Sequence, residues 1–424
     1  MSRRPKLLYL AYAFFPAPMI ACVRTWNTAK HLTVLGWDVT VVTPHPSMWL
    51  NPEDPAKIEA GIEAAGFRRI LTGHAWPMLA PGELRWRRGR LARAAGGVCR
   101  RVAAGLEFEA QVGWFQSIKG ACSNLRPSDV DVIMATAKPN ITFRAARWLG
   151  RRLNRPFVLD YRDPWTGDPH PGKNVLPRPN QEEAQLLHEC AAVTVVSPSW
   201  AKLIGSAFGV SEKIHVVSNG FDSSMFADVR PAAFDHFAVV YAGTLYPPKR
   251  VLDPVLKAFG TFVNRHSAFP AKLHYYGGHT ESVEQAARHL GVAEHVIIHG
   301  SVSRAEALSA QKGAGILIVI SSVDDRGSLS DNGIVTGKVF DCLALGRPIM
   351  AIAPKGSDLF GVVETAGGGR CFTGSDIEGM AGYTAEVAGG SIPPFRCPFA
   401  YHWPDIARGF DSCLRSCLEI TGKN

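Results

Sequence analysis

The run from Asp331 to Pro348 carries the densest chemistry in the sequence. Within it Thr336 is a good N-cap for a helix ending at Leu345 and Gly346, and the first-turn amides of residues 337 to 339 would have no partner inside that helix. Such a helix start attracts anions, and Lys338 adds a cation beside it. Asp341 lies three residues further along the same face. There its carboxylate can accept hydrogen bonds from the hydroxyls of whatever carries the anion, and ribose would supply them.

A second anion site is offered by the stretch Tyr241 to Arg250. An apolar strand ends at Gly243 and Thr244, and a short loop delivers Lys249 and Arg250 side by side. Gly243 permits close backbone approach, and a guanidinium at Arg250 can clamp phosphate oxygens two at a time. Two phosphate-grasping elements at strand ends in one domain suggest a nucleoside diphosphate. Other chemistries are excluded. The first strand-to-helix loop, Ala13 to Cys22, contains no glycine, which removes the dinucleotide fingerprint, and no Walker lysine loop is present. Asp129-Val130-Asp131 spells a DxD motif but precedes a buried strand, and the histidines lack ligand spacing, so no metal is expected. The nine cysteines never form a CxxC pair and read as reduced thiols. Cys413 and Cys417 at i, i+4 could hold half a metal site or serve as small core residues, and no second pair of ligands follows them.

These residues need elements to hold them. Lys6 to Ala11 reads as a strand, Val23, Trp26, Ala29 and Leu32 as the stripe of a helix closed by Gly36, and Trp37 to Thr43 as the returning strand of a βαβ unit. Further strands are predicted at 130–135, 156–161 and 192–197, with an arginine-rich helix at 142–153. From Phe237 the alternation restarts, with strands at 237–242, 272–276, 296–299, 315–321 and 348–353 between helices at 252–263, 281–290, 304–311 and 337–345. Ser303 and Glu306 form a capping box. Trp403 to Glu419 is an amphipathic helix with apolar positions at Ile406, Phe410, Cys413 or Leu414, and Cys417. The expected fold class is α/β with two doubly wound domains. At 424 residues and 46% hydrophobic content the chain has material for two such cores.

Taken together, the motifs resemble the retaining glycosyltransferases of family 4, with the GT-B fold, over most of the chain. Leu35-Gly36-Trp37-Asp38-Val39 is similar to the family's opening. Asp160-Tyr161-Arg162-Asp163-Pro164-Trp165 resembles the D-x-R-D-x-W signature of a branch that builds bacterial surface polysaccharides. Val217 to Asp222 is similar to its interdomain linker, Tyr241 to Arg250 to its diphosphate loop, and Lys338 to Pro348 to its K-x-x-E-x-L-A-x-G-x-P segment.

The resemblance implies an acceptor-binding domain at 1–220, a nucleotide-sugar-binding domain at 221–400, and a C-terminal helix at 401–424 packing back on the first. It implies that Arg162 and Asp163 contact the acceptor or the reacting sugar. It also implies that Lys249, Arg250 and the amides before Lys338 stabilise the leaving diphosphate, and that Asp341 takes the ribose. Asp160, Trp165 and Arg24 are placed on the acceptor side, with a plain surface role as the alternative for Arg24 and a structural Asp-Arg tie as the alternative for the Asp160 motif. Family members carry two glutamates eight positions apart around the donor. Here those positions are Gly333 and Asp341, so contacts to the donor sugar are expected from the amides of Asn332, Gly333, Ile334 and Val335. Tyr275 to His279 either lines the base pocket or is an ordinary strand end.

Charge is one-sided, with 28 Lys and Arg against 17 Asp and Glu before Gly220, or +11, and 18 against 20, or −2, from there on. An anionic partner for the first half follows. Seven arginines lie between Arg85 and Arg101, with apolar residues at helical spacing. The segment reads as a solvated face, a membrane or lipid-phosphate contact, or a nucleic-acid contact, and the resemblance favours the membrane over nucleic acid. The expected protein is a metal-independent enzyme without cofactor. Its donor substrate is a nucleotide diphosphate sugar and its acceptor a lipid-linked saccharide, with a cytoplasmic location at the inner face of the membrane. A non-catalytic nucleotide-sugar binder, a nucleotide-sugar epimerase and a phosphorylase on the same fold are the alternatives.

Overall fold

The structure is a computed structural model that describes residues 3–17, 19–49, 54–75, 98, 112–169, 181–396 and 399–421. Contacts divide the chain into two units. The first takes the chain through Val196, Ala201–Ser218 and the helix that starts at Trp403, and the second takes Ser197–Trp200 and Asn219–His402.

The first unit is a seven-stranded parallel sheet of β1 (Lys6–Leu10), β2 (Asp38–Pro44), β3 (Arg68–Thr72), β4 (Val132–Thr136), β5 (Phe157–Tyr161), β6 (Ala192–Val195) and β7 (Ile214–Val216), in the order β3-β2-β1-β4-β5-β6-β7. Its helices are α1 (Cys22–Val34), α2 (Pro55–Ala65), α3 (Val112–Ala121), α4 (Ile141–Leu153), α5 (Gln181–Glu189) and α6 (Pro198–Phe208), the last beginning on residues of the second unit. Every residue of β4, β5 and β6 is buried, as the continuous apolar runs require when helices cover both faces of a sheet. α1 ends where Gly36 turns to φ +93°, a conformation open to glycine, and the chain re-enters the sheet.

The second unit is a six-stranded parallel sheet of β8 (Phe237–Ala242), β9 (Ala271–Tyr276), β10 (Val296–Gly300), β11 (Ile316–Ile320), β12 (Ile349–Ile352) and β13 (Gly369–Phe372), ordered β10-β9-β8-β11-β12-β13. It carries α7 (Asp253–Arg265), α8 (Thr280–His289), α9 (Arg304–Gly313), α10 (Leu329–Asn332), α11 (Lys338–Leu345), α12 (Asp358–Ala366) and α13 (Ile377–Ala388). The pleat sends alternate residues to opposite cores. Val239 and Ile318 join Leu273 and Phe259 on one face, while Val240, Leu317 and Val319 join Phe340 and Leu359 on the other. Ser303 Oγ accepts from the Glu306 amide at 3.2 Å, the forward half of the expected capping box.

The last helix, α14 (Trp403–Thr421), packs against α1. Trp403, Phe410, Cys413, Leu414 and Cys417 enter the same core as Leu32, Trp37, Val41 and Met134. Two doubly wound units with this terminal helix on the first make the GT-B architecture that the motifs imply. In each sheet the strand order reverses at the first strand, between β1 and β4 and between β8 and β11, and ligands of such sheets bind beyond the strand ends at that reversal. Tyr241, Ala242 and Gly243 lie at that point in the second unit.

Candidate functional site

In the second unit the ammonium of Lys338 rests on the bare Cα of Gly243. A Cβ added to Gly243 would lie 1.2 Å from Lys338 Nζ, and the φ of +147° there also favours glycine. The Gly243 amide donates to the carbonyl of Tyr276 at 2.7 Å, which fixes the turn. Lys338 Nζ stands 5.2 Å from the centroid of the Tyr241 ring, is buried, and has no hydrogen-bond partner among the described residues. Burial first, and the charge of Arg250 second, push its pKa down to about 8.

Arg250 lies over the ring of Tyr246 at 5.1 Å, held by a pair of 2.9 Å backbone bonds between residues 246 and 250. Its Nε is buried without a hydrogen-bond partner among the described residues, and burial pulls its pKa below the usual guanidinium range. Two desolvated cations that sense each other, with no ion pair to either among the described residues, form a cradle for an anion.

The structure redistributes several expected roles around this cradle. Lys249 is tied to Asp331, which also closes a capping box with Ser328 at the start of α10. The cation that joins Arg250 is therefore Lys338. Thr336 stands one residue before the N-cap of α11, which is Gly337 with no side-chain cap. Its Oγ1 accepts from the Lys338 amide at 3.4 Å and its carbonyl from the Val339 amide at 3.1 Å, so two of the three amides expected to be open are engaged locally. Similarly the amides of Asn332, Gly333 and Ile334 donate to Ser328, Leu329 and Asp331 within their own turn. Val335 is half-buried between these turns, and Thr244 is exposed with its carbonyl accepting from the Tyr241 hydroxyl at 3.2 Å. Asp341 accepts from Arg304 at 3.3 Å. Burial raises its pKa, and the Arg304 charge opposes that rise.

At the end of β5 in the first unit, Asp160 has no exposed surface. It accepts from Arg24 NH2 and Nε at 2.7 and 3.1 Å, from Thr136 at 2.7 Å and from Thr194 at 2.8 Å. Burial alone would raise the Asp160 carboxyl, but the Arg24 charge and these hydrogen bonds outweigh it and leave it below the usual range. Arg24 also donates to the carbonyls of Val217 and Ser218 and lies over the Phe410 ring. Asp160 and Arg24, two of the residues expected on the acceptor side, are thus committed to an internal tie joining β5, α1, the end of β7 and α14. Arg24 is not a surface residue either.

The following loop is pinned at several points. Arg162 donates to the carbonyls of Ala137 and Lys138, Lys138 pairs with Asp168, and Thr166 donates to Glu183. Arg162, Asp163 and Trp165 are half-buried. The DxD pair is structural, with Asp129 accepting from the Arg126 amide and Asp131 from the Lys6 amide and Arg3.

Residues 21–220 match the profile of the family described as glycosyl transferase 4-like domain. This stretch is a family 4 glycosyltransferase domain. Among solved structures, the glycosyltransferase of Rickettsia africae matches at 14% identity and TM-score 0.56, covering 99% of this chain and 98% of that one. HepE of Anabaena in complex with UDP and glucose matches at 13% and 0.56, covering 97% and 100%. Sucrose-phosphate synthase of Thermosynechococcus elongatus matches at 13% and 0.59, covering 99% and 98%. At these identities the likeness is one of fold. No curated protein matches the sequence.

For this glycosyltransferase the glycine at 333 has a steric cause. A Cβ there would lie 2.1 Å from the Trp200 ring, whose Nε1 donates to the Ser330 carbonyl at 2.8 Å, while Ser197 Oγ donates to the Gly333 carbonyl at 2.9 Å. The space a larger residue would fill is occupied by an indole. Trp200, Lys138, Arg304 and Glu183 escaped the sequence reading. Only Glu183 left a signal, as a carboxylate at i−3 and i−4 from Leu186 and Leu187, on the buried stripe of α5. The arginine run Arg85–Arg101, apart from Val98, lies outside the described residues.

Proposed function

We propose that the protein transfers a sugar from a nucleoside diphosphate donor to a saccharide acceptor, with retained anomeric configuration, in cell-surface polysaccharide synthesis. The observation that carries the donor side is the unpaired cation couple of Lys338 and Arg250 at Gly243. Two buried cations with no ion pair among the described residues are costly in a folded protein, and a diphosphate supplies opposite charge. As the bond between sugar and phosphate breaks, negative charge grows on the leaving oxygen, and preformed cations stabilise it without a metal. Asp341, held by Arg304, accepts ribose hydroxyls. Arg162, Asp163 and Trp165 face the acceptor, whose proton passes to the departing phosphate oxygen on the same face. The basic run Arg85–Arg101 supports a lipid-linked acceptor at the inner membrane surface. HepE, whose fold the chain shares, is bound to UDP and to UDP-glucose, which makes the uridine nucleotide the first probe.

The test is thermal unfolding with UDP, GDP, ADP and their sugars in the presence of EDTA. One diphosphate and its sugar should raise the midpoint by mass action. Lys338→Ala or Arg250→Ala should weaken that ligand on the order of 10- to 100-fold, the worth of a charge-assisted contact, and Lys249→Ala should weaken it less. Stability unchanged by every nucleotide sinks the donor assignment. Stabilisation without donor consumption identifies a binding module, a reading that the loss of a carboxylate at Gly333 favours.

A further inference from the structure

Glu183 has no exposed surface, and the proposed transfer gives it no task. Its Oε2 accepts from Thr166 twice, from the amide at 2.9 Å and from Oγ1 at 2.5 Å. Its Oε1 is buried beside the Tyr161 hydroxyl, which is buried too. Burial, the Glu183 charge and the hydrogen-bond interaction with Glu183 raise the Tyr161 pKa well above the usual phenol range. Tyr161 is the residue before Arg162, and Thr166 is the residue after Trp165. One carboxylate therefore addresses both ends of the Arg162–Trp165 loop, through Oε2 at one and Oε1 at the other. Ionised, it can only accept hydrogen bonds, and protonation of Oε1 turns that acceptor into a donor.

We infer that Glu183 is the positioning residue of this loop. Ionised, it clamps Thr166 through Oε2. Protonated at Oε1, it donates to the Tyr161 oxygen and loosens the Thr166 clamp, so that its proton sets the placement of Arg162 and Asp163 and with it the transfer rate. This rests on reading that loop as the acceptor side. Burial pushes the Glu183 carboxyl up to about 7, with the Thr166 hydrogen bonds and the neighbouring Tyr161 hydroxyl opposing, which puts the change within the neutral range. The titratable groups on the elements around it are Tyr161 on β5, and Cys190 after α5, whose thiol burial pushes up to about 12. Beyond them lie the Arg144–Glu182 pair between α4 and α5 and the Lys138–Asp168 pair beside the loop.

The experiment is the pH profile of UDP release from UDP-glucose with saccharide acceptor, in wild type, Glu183→Gln and Thr166→Val. The wild-type kcat should rise about tenfold across neutrality as the clamp to a charged oxygen forms. Glu183→Gln should stay at the low level at every pH with its UDP affinity unchanged, and Thr166→Val should fall between the two. Ionising Glu183 costs the folded state above its own pKa, so the uncharged glutamine should melt no lower than wild type at about pH 8, which separates lost clamping from lost folding. A Glu183→Gln profile that follows wild type overturns the proposal, as does a Thr166→Val variant with wild-type rate and profile should the glutamine variant fail to fold. Infrared difference spectra of wild type against Glu183→Gln provide a readout without nucleotide. A protonated carboxyl band should be present at about pH 6 and gone at about pH 8, and its absence overturns the proposal even if UDP binding, and with it the donor reading, fails.

Discussion

A carboxylate and a guanidinium taken fully out of water must satisfy each other, and Asp160 and Arg24 do so with help from two threonines and two carbonyls. Removing one partner leaves the other charged and buried. Asp160→Asn should therefore cost about 3 to 5 kcal/mol, read as a lower urea midpoint with unchanged nucleotide binding in the second unit. The folded carboxyl lies below its unfolded value, so its contribution is complete above the unfolded pKa and is lost as pH falls through the folded one. The acid limb of the stability curve should thus be shallower in Asp160→Asn than in wild type. An equal slope in both proteins would remove Asp160 from the acid response. The same logic separates Lys249 from Lys338. The first is paired with Asp331, and the second, among the described residues, is in no ion pair and lies by the Tyr241 ring with the charges of Arg250 and Asp341 acting on it, which leaves it a use for an anion.

At the level of elements, three strands of the second unit share a row of imidazoles. His236 Nε2 lies 2.7 Å from His274 Nε2, and His274 Nδ1 lies 2.9 Å from His299 Nε2, so a hydrogen-bonded chain runs from the approach to β8 across β9 to β10. Burial lowers His274 to about 4, with the neighbouring His236 and His299 adding to the effect. Burial also lowers His299, and the charge of Glu306 on α9 acts on it in the opposite sense. Because the unfolded chain protonates His274 and His299 before the folded one does, their contribution to stability is complete above about pH 6.5 and, for His274, declines between there and about pH 4. His274→Gln should flatten the decline in urea midpoint over that window, and a slope as steep as wild type would dismiss the row as its source. None of this row was visible as a pattern, because the three positions meet only when β8, β9 and β10 align. What sequence patterning can see is local. The apolar runs of β1, β4, β5, β8 and β11 and the glycines that close α1, α8 and α11 lie where the structure has them. By contrast β3 escapes notice, being an edge strand whose Arg68 and Arg69 pair with Asp38 and Glu59 instead of burying apolar side chains. Gly243, Arg250 and Lys338 are legible as chemistry at element ends. The pairings Lys249–Asp331 and Arg24–Asp160 are not, because each joins residues far apart along the chain.

Across the whole molecule the basic excess of the first half divides into two kinds. Arg144 and Arg151 of α4 pair with Glu182 and Glu189 of α5, while Arg152 and Arg155 donate to backbone carbonyls between residues 122 and 130, so this arginine-rich helix is occupied by its own unit. The run Arg85–Arg101, which apart from Val98 lies outside the described residues, is the segment for which an anionic surface is proposed. Binding to vesicles containing phosphatidylglycerol, absent with neutral lipid and reversed by salt, is the expected result, and it should fall when those arginines are replaced by serine. Equal partition onto neutral vesicles would remove the electrostatic basis of the membrane reading. Among the described residues no helix is long and apolar enough to cross a membrane.

The terminal helix has a consequence in time. Trp403, Phe410 and Leu414 complete a core begun by Leu7 and Leu32, yet they are translated after all of Asn219–His402. At synthesis rates of roughly 5 to 20 residues per second, the unfinished side of the first unit waits about 10 to 40 s for its cover, a period in which a nascent chain presents an open apolar face to chaperones.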